Sequence, residues 1–180
     1  MTRKKLFNIF TVINFLFLIS CLNFKEIFSS NLSRLFNQNN FRYVIINLFS
    51  LAYGFNLYLI STKEKPKIKY LALIVPLLGS IIAYNPTYPN ALSSNIHLLF
   101  AYISCIGIIL IELILIYNFN LNLKLKKYLR NVYIIILGIC LYLYIDQMFV
   151  SLINEIIFLT SILLVNFTMM NYEVKKWIKY

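Results

Sequence analysis

Three acids and the only histidine stand inside or at the edges of apolar runs in this sequence: Glu112, Asp146, Glu155 and His97. A charge at the centre of a bilayer costs about 2.5–3.5 kcal/mol on insertion scales, so such residues are natural functional candidates. Carboxyls bind cations or relay protons, and an imidazole titrates close to neutral pH. Helical spacing links the four to other polar or small residues. His97, Ala101, Ser104, Cys105, Ile108 and Glu112 lie on one stripe. Asn131, Gly138, Tyr142 and Asp146 form a second. Glu155 and Asn166, about three turns apart, share a face. Asn47, Ser50, Gly54 and Ser61 form a further stripe.

These stripes are expected to face one another inside a helix bundle, and two uses are open to them. As packing surfaces, small residues permit close helix approach while amides and hydroxyls cross-link neighbours. As a site, His97, Asp146 and Glu155 line an outward-facing polar pocket, with Glu112 deeper on the same path. Tyr142 and Asn166 complete that candidate ligand-binding set. His97 has the further option of capping or tethering the loop before it.

The elements that must position these residues follow from composition. The chain has 180 residues, 61% of them apolar and 13% charged, with a mean hydropathy of +0.76. Soluble domains have about a quarter of their residues charged. A water-soluble fold of this size could not hide so much apolar surface. Six runs are long and apolar enough for spanning helices: about 6–24, 41–61, 68–85, 96–118, 128–146 and 152–172. They are continuous rather than alternating, which predicts an all-α six-helix bundle and not a β-barrel. Neither a repeat nor a linker divides them, so residues 1–180 read as one membrane domain.

Charge then sets the topology. The net charge is +11, yet the basic residues are dispersed between the runs, which speaks against a nucleic-acid-binding face. Fourteen Lys and Arg flank the first run or lie after the second, fourth and sixth. Only Lys25, Arg34 and Arg42 lie on the other side. The asymmetry predicts cytoplasmic N and C termini in a bacterial plasma membrane. The segment Tyr84–His97, which carries two of the four prolines and the only histidine, becomes an uncharged outer loop. Pro76 in the third run frees the carbonyl of Ala72 and predicts a kink. Residues of about 24–37 alternate at helical spacing between apolar and polar faces. This predicts a short amphipathic helix, either lying on the outer leaflet or sealing the bundle. Leu18-Ile19-Ser20-Cys21 resembles a bacterial lipobox, but apolar character continues through Leu22 and Phe24, favouring an uncleaved first helix.

The three cysteines form neither a CxxC pair nor a cluster with His97, so neither a disulfide framework nor a zinc site is indicated. A nucleophile elbow, a phosphate-binding glycine loop and a nucleotide motif are all missing, so no cofactor and no enzymatic activity is expected.

Pro86 in the outer loop, His97 at the top of the fourth run, Ala101 four residues on, and Leu152 with Glu155 opening the sixth form a pattern. It resembles the six-helix bacterial membrane family of unknown function related to the DRAM/Frag-type membrane proteins. Ile156 stands where that family favours Arg. The resemblance implies a six-span fold, and an association of its eukaryotic relatives with membrane lipid homeostasis. The expected partners are thus the lipid bilayer, a bound lipid or small amphiphile, or another membrane protein. The competing expectations are an accessory or immunity-type subunit and a small proton-coupled transporter.

Overall fold

The computed structural model describes residues 2–22, 28, 30–36, 40–64, 67–82, 92–147 and 150–177. They form α1 (Arg3–Cys21), α2 (Leu32–Phe36), α3 (Asn40–Glu64), α4 (Lys69–Ile81), α5 (Leu92–Asn118), α6 (Leu123–Gln147) and α7 (Leu152–Trp177), with no strand among the described residues. Five of these, α1, α3, α5, α6 and α7, are long and apolar enough to cross a membrane. The third apolar run forms the 13-residue α4, about 20 Å of helix. The end of that run, residues 83–85, lies outside the described residues, as does Pro86.

Sequence explains where the helices begin. Thr2 caps α1 by accepting the Lys5 N–H at 3.4 Å. Asn31 Oδ1 accepts the Arg34 N–H at 2.8 Å at the start of α2. Asn122 Oδ1 accepts the Leu125 N–H at 2.7 Å at the start of α6. Short polar side chains of this kind satisfy the first, otherwise unpaired, N–H groups of a helix.

The helices pack through small residues. On α3, a Cβ added at Gly54 would overlap the backbone carbonyl of Leu73 on α4. On α5, a Cβ at Gly107 would press into the Val75 side chain of α4 at 2.8 Å. Hence α4 lies between α3 and α5 at close range, the arrangement that glycines allow in membrane bundles. Pro76 is buried within α4. Helix α1 buries Phe7, Thr11, Asn14, Leu18 and Cys21, a single stripe, against α3 and α7. There Asn56 Nδ2 donates to Thr11 Oγ1 at 2.7 Å, and Thr11 Oγ1 donates to the Phe7 carbonyl at 2.9 Å. The core includes Tyr53, Leu57, Leu115, Phe119, Tyr133, Ile162 and Met169.

The outer surface is apolar. Leu16, Phe41, Leu48, Ile135 and Leu141 are all more than half exposed. Each such side chain would forgo about 1.5–3 kcal/mol in water. Against lipid tails there is no such loss, and the surface matches a bilayer.

The bundle has two chemically distinct ends. Arg3 donates from Nη1 to Thr62 Oγ1 at 3.4 Å, joining the start of α1 to the end of α3. The Asn122 amide donates to the Tyr172 hydroxyl, joining the start of α6 to the end of α7. At the opposite end, Leu152 N–H donates to the Ser30 carbonyl at 2.6 Å, and Tyr43 Oη donates to the Ile81 carbonyl at 2.5 Å. Arg3, Lys69, Lys124, Lys126, Lys127 and Arg130 therefore gather at the first, basic end.

Of the two alternatives for the segment at about 24–37, the described residues take the second, and one other expectation needs correction. The apolar side of α2 (Leu32, Leu35 and Phe36) is buried in the bundle. Phe36 meets Phe17 of α1 at a centroid distance of 5.3 Å, so α2 seals that end. The stripe of Asn131, Gly138, Tyr142 and Asp146 does not face inward. All four are exposed, and the buried residues of α6 are Leu129 and Tyr133. An apolar helix in lipid has no hydration penalty to force its polar stripe toward its neighbours, and here α6 turns two bulky side chains inward instead.

Candidate functional site

Helix α5 carries Glu112 on its buried face, in line with Ser94, His97, Ser104 and Ile108. The side chain is 0% exposed. Helix α7 brings Asn166, also fully buried, so that its carboxamide lies against the Glu112 carboxyl without hydrogen-bond geometry. Helix α3 adds Tyr53 and helix α6 adds Tyr133, both fully buried and within electrostatic reach of the same carboxyl. Tyr53 Oη donates to the Leu159 carbonyl of α7 at 3.1 Å. The remaining groups have no hydrogen-bond partner among the described residues: both Glu112 oxygens, both Asn166 amide atoms and Tyr133 Oη.

This is an expensive arrangement. An unpaired buried polar group costs about 1–3 kcal/mol, and more if charged. Four helices nevertheless converge on one point with donors and acceptors of both kinds. Such a centre can hold a proton, a cation or the polar end of a small molecule. Among the described residues no group of three His, Cys, Asp or Glu could hold a metal ion.

His97 and Glu155 lie at the end opposite the basic one, and each holds a backbone group. His97 Nδ1 donates to the Ile82 carbonyl at 2.6 Å, tying the top of α5 to the end of α4. Glu155 Oε2 accepts the Leu32 N–H at 2.6 Å, capping α2. Asn154 Nδ2 donates to the Cys140 carbonyl at 3.0 Å, tying α7 to α6. Cys21, fully buried at the end of α1, lies within electrostatic reach of Glu155.

Of the six residues singled out from sequence, the structure brings Glu112 and Asn166 together. It places His97 and Glu155 as backbone tethers at one end, and leaves Tyr142 (67% exposed) and Asp146 on the outward side of α6. Sequence reasoning missed Tyr53 and Tyr133. For Tyr53 a signal existed, since it stands three residues after Ser50 and next to Gly54 on the polar stripe of α3. For Tyr133 none did, because tyrosine in an apolar run reads equally well as a lipid-facing residue.

Fold and site together define a polytopic α-helical membrane protein with a buried polar centre. No protein-family model, curated protein or solved structure matches the chain.

Proposed function

We propose that the protein is a non-enzymatic component of a bacterial plasma membrane that crosses the bilayer six times with both termini cytoplasmic. Its Glu112–Asn166 centre binds the polar part of a small molecule or amphiphile. The observation that carries this reading is the convergence of five polar atoms of the fully buried Glu112, Asn166 and Tyr133 that have no hydrogen-bond partner among the described residues. The sixth crossing is supported by α4, which starts beside the basic end of α3 and delivers Ile81 and Ile82 to Tyr43 and His97 at the other. The orientation is supported by the gathering of Lys and Arg at one end. A kinship with the DRAM/Frag-type family is supported by His97 and Ala101, one turn apart on α5, and by Leu152 and Glu155 in the first turn of α7.

Native mass spectrometry of the protein released from its own membranes tests the binding role. A bound small molecule or lipid is expected on the wild type and lost in Glu112→Leu/Asn166→Leu. A wild type that carries nothing, or a double variant that carries the same mass, refutes it. A second reading, an accessory subunit, is favoured by one observation. Asn131, Gly138 and Asp146 present small and polar groups outward, where a partner helix suits them better than lipid does. Thiol cross-linking from Gly138→Cys in membranes, yielding one discrete heavier species, is the outcome that reading requires.

A further inference from the structure

A second feature lies toward the basic end, where its lining on α5 runs from Leu113, the neighbour of Glu112, to Asn118. Where α5 approaches α6, a cleft of about 620 Å³ opens. That volume is in the range of small-molecule sites, about 300–1,000 Å³. One wall is apolar, formed by Leu113, Ile114 and Ile116 of α5. The other carries Lys126, Lys127 and Arg130 from the first two turns of α6, and among the described residues no acidic side chain lines the cleft. Lys126 is already positioned, because its Nζ donates to the Tyr117 carbonyl at 2.7 Å, near the C-terminus of α5. That contact suits a cation at the negative end of a helix dipole. Lys127 and Arg130 are exposed. Ile114, Tyr117 and Leu123 of the lining are exposed as well, so the cleft opens on the outer surface of the bundle.

We infer that this cleft is a binding site for a phospholipid with an anionic headgroup. The phosphate sits among Lys126, Lys127 and Arg130, and an acyl chain runs along Leu113, Ile114 and Ile116. The charges match in sign, and Arg130 supplies the planar fork that suits phosphate oxygens. Basic pockets between membrane helices are the places where anionic lipid headgroups are held. The apolar wall and the membrane-facing opening select a lipid over a free phosphate ion, for which three unshielded cations in water would suffice. This site is separate from the Glu112 centre and does not depend on what that centre binds.

Full-length protein in detergent, titrated with phosphatidylglycerol, phosphatidylcholine or inorganic phosphate and read by native mass spectrometry, tests the inference. Phosphatidylglycerol is expected to bind preferentially. Each basic residue near a membrane surface contributes about 1 kcal/mol toward anionic lipid, or roughly fivefold in affinity. Lys126→Gln/Lys127→Gln/Arg130→Gln is therefore expected to lose about a hundredfold. Because Lys126 also holds the end of α5, Lys127→Gln/Arg130→Gln is the companion variant. It is expected to lose about 25-fold with an unchanged unfolding midpoint. Equal binding of the two lipids, undiminished phosphatidylglycerol binding in the double variant, or inorganic phosphate binding as well as the lipid would each overturn the assignment.

Discussion

Glu155 Oε2 accepts the backbone N–H of Leu32 at 2.6 Å, across 123 residues of sequence. The bond is half of a two-way clasp, since the Leu152 N–H donates to the Ser30 carbonyl at 2.6 Å. One acid thus supplies a start to the five-residue α2, which is too short to be stable alone. It also anchors the chain between α1 and α3 to the top of α7. Glu155→Ala is expected to lower stability by about 1–3 kcal/mol, the cost of leaving a buried donor unpaired. Glu155→Gln keeps an acceptor oxygen and is expected to recover most of that loss. Thermal unfolding in detergent micelles separates the two. Equal losses would mean that the acceptor is not what Glu155 contributes.

Glu112 and Asn166 give the opposite forecast. Their buried polar atoms lack hydrogen-bond partners among the described residues, so removing both groups removes a cost. Glu112→Leu/Asn166→Leu is expected to hold or raise the unfolding midpoint, because apolar replacement of buried polar partners is neutral to stabilising. A marked fall in the midpoint would show that the pair cross-links α5 and α7 instead.

The glycines divide by what surrounds them. Gly54→Ala forces a methyl group against the backbone carbonyl of Leu73 and is expected to cost about 1–3 kcal/mol. Gly138 has nothing within 4 Å of an added Cβ, so Gly138→Ala is expected to stabilise α6 by up to about 1 kcal/mol. Gly107→Ala meets only the Val75 side chain, and Val75→Ala should rescue it. Unfolding midpoints of the four variants check the order, and a harmless Gly54→Ala would contradict the close α3–α4 packing.

The crossing by α4 has its own test. In a background free of Cys21, Cys105 and Cys140, single cysteines replace the exposed Lys67 and Asn95. A membrane-impermeant maleimide on intact cells is expected to label Asn95→Cys and not Lys67→Cys. Labelling of both from one side would make α4 a re-entrant segment. Labelling of Lys67→Cys alone would invert the topology.

Much of this was legible beforehand and some was not. Glu112 and Asn166 stood out because polar groups within apolar helices are rare enough to carry information individually. The buried stripe of α5 was readable for the same reason. The direction of α6 was not. Its polar stripe has the right period, but period fixes only which residues share a face, not which way that face turns. In water the hydrophobic effect would make that choice. In lipid both faces of an apolar helix are acceptable, and the fit of Leu129 and Tyr133 into the bundle makes it.

The sequence by itself determined the class of protein, the apolar helices and the separation of charge between their ends. These depend on composition and on local spacing, which the bilayer reads one segment at a time. Tertiary structure alone decided that Tyr53 and Tyr133 join Glu112 and Asn166, and that α2 turns inward. It also decided that Glu155 closes a helix 123 residues away rather than lining a pocket with Asp146. Those outcomes rest on close packing between helices, where glycine contacts and single hydrogen bonds select one arrangement among several that lipid would accept equally.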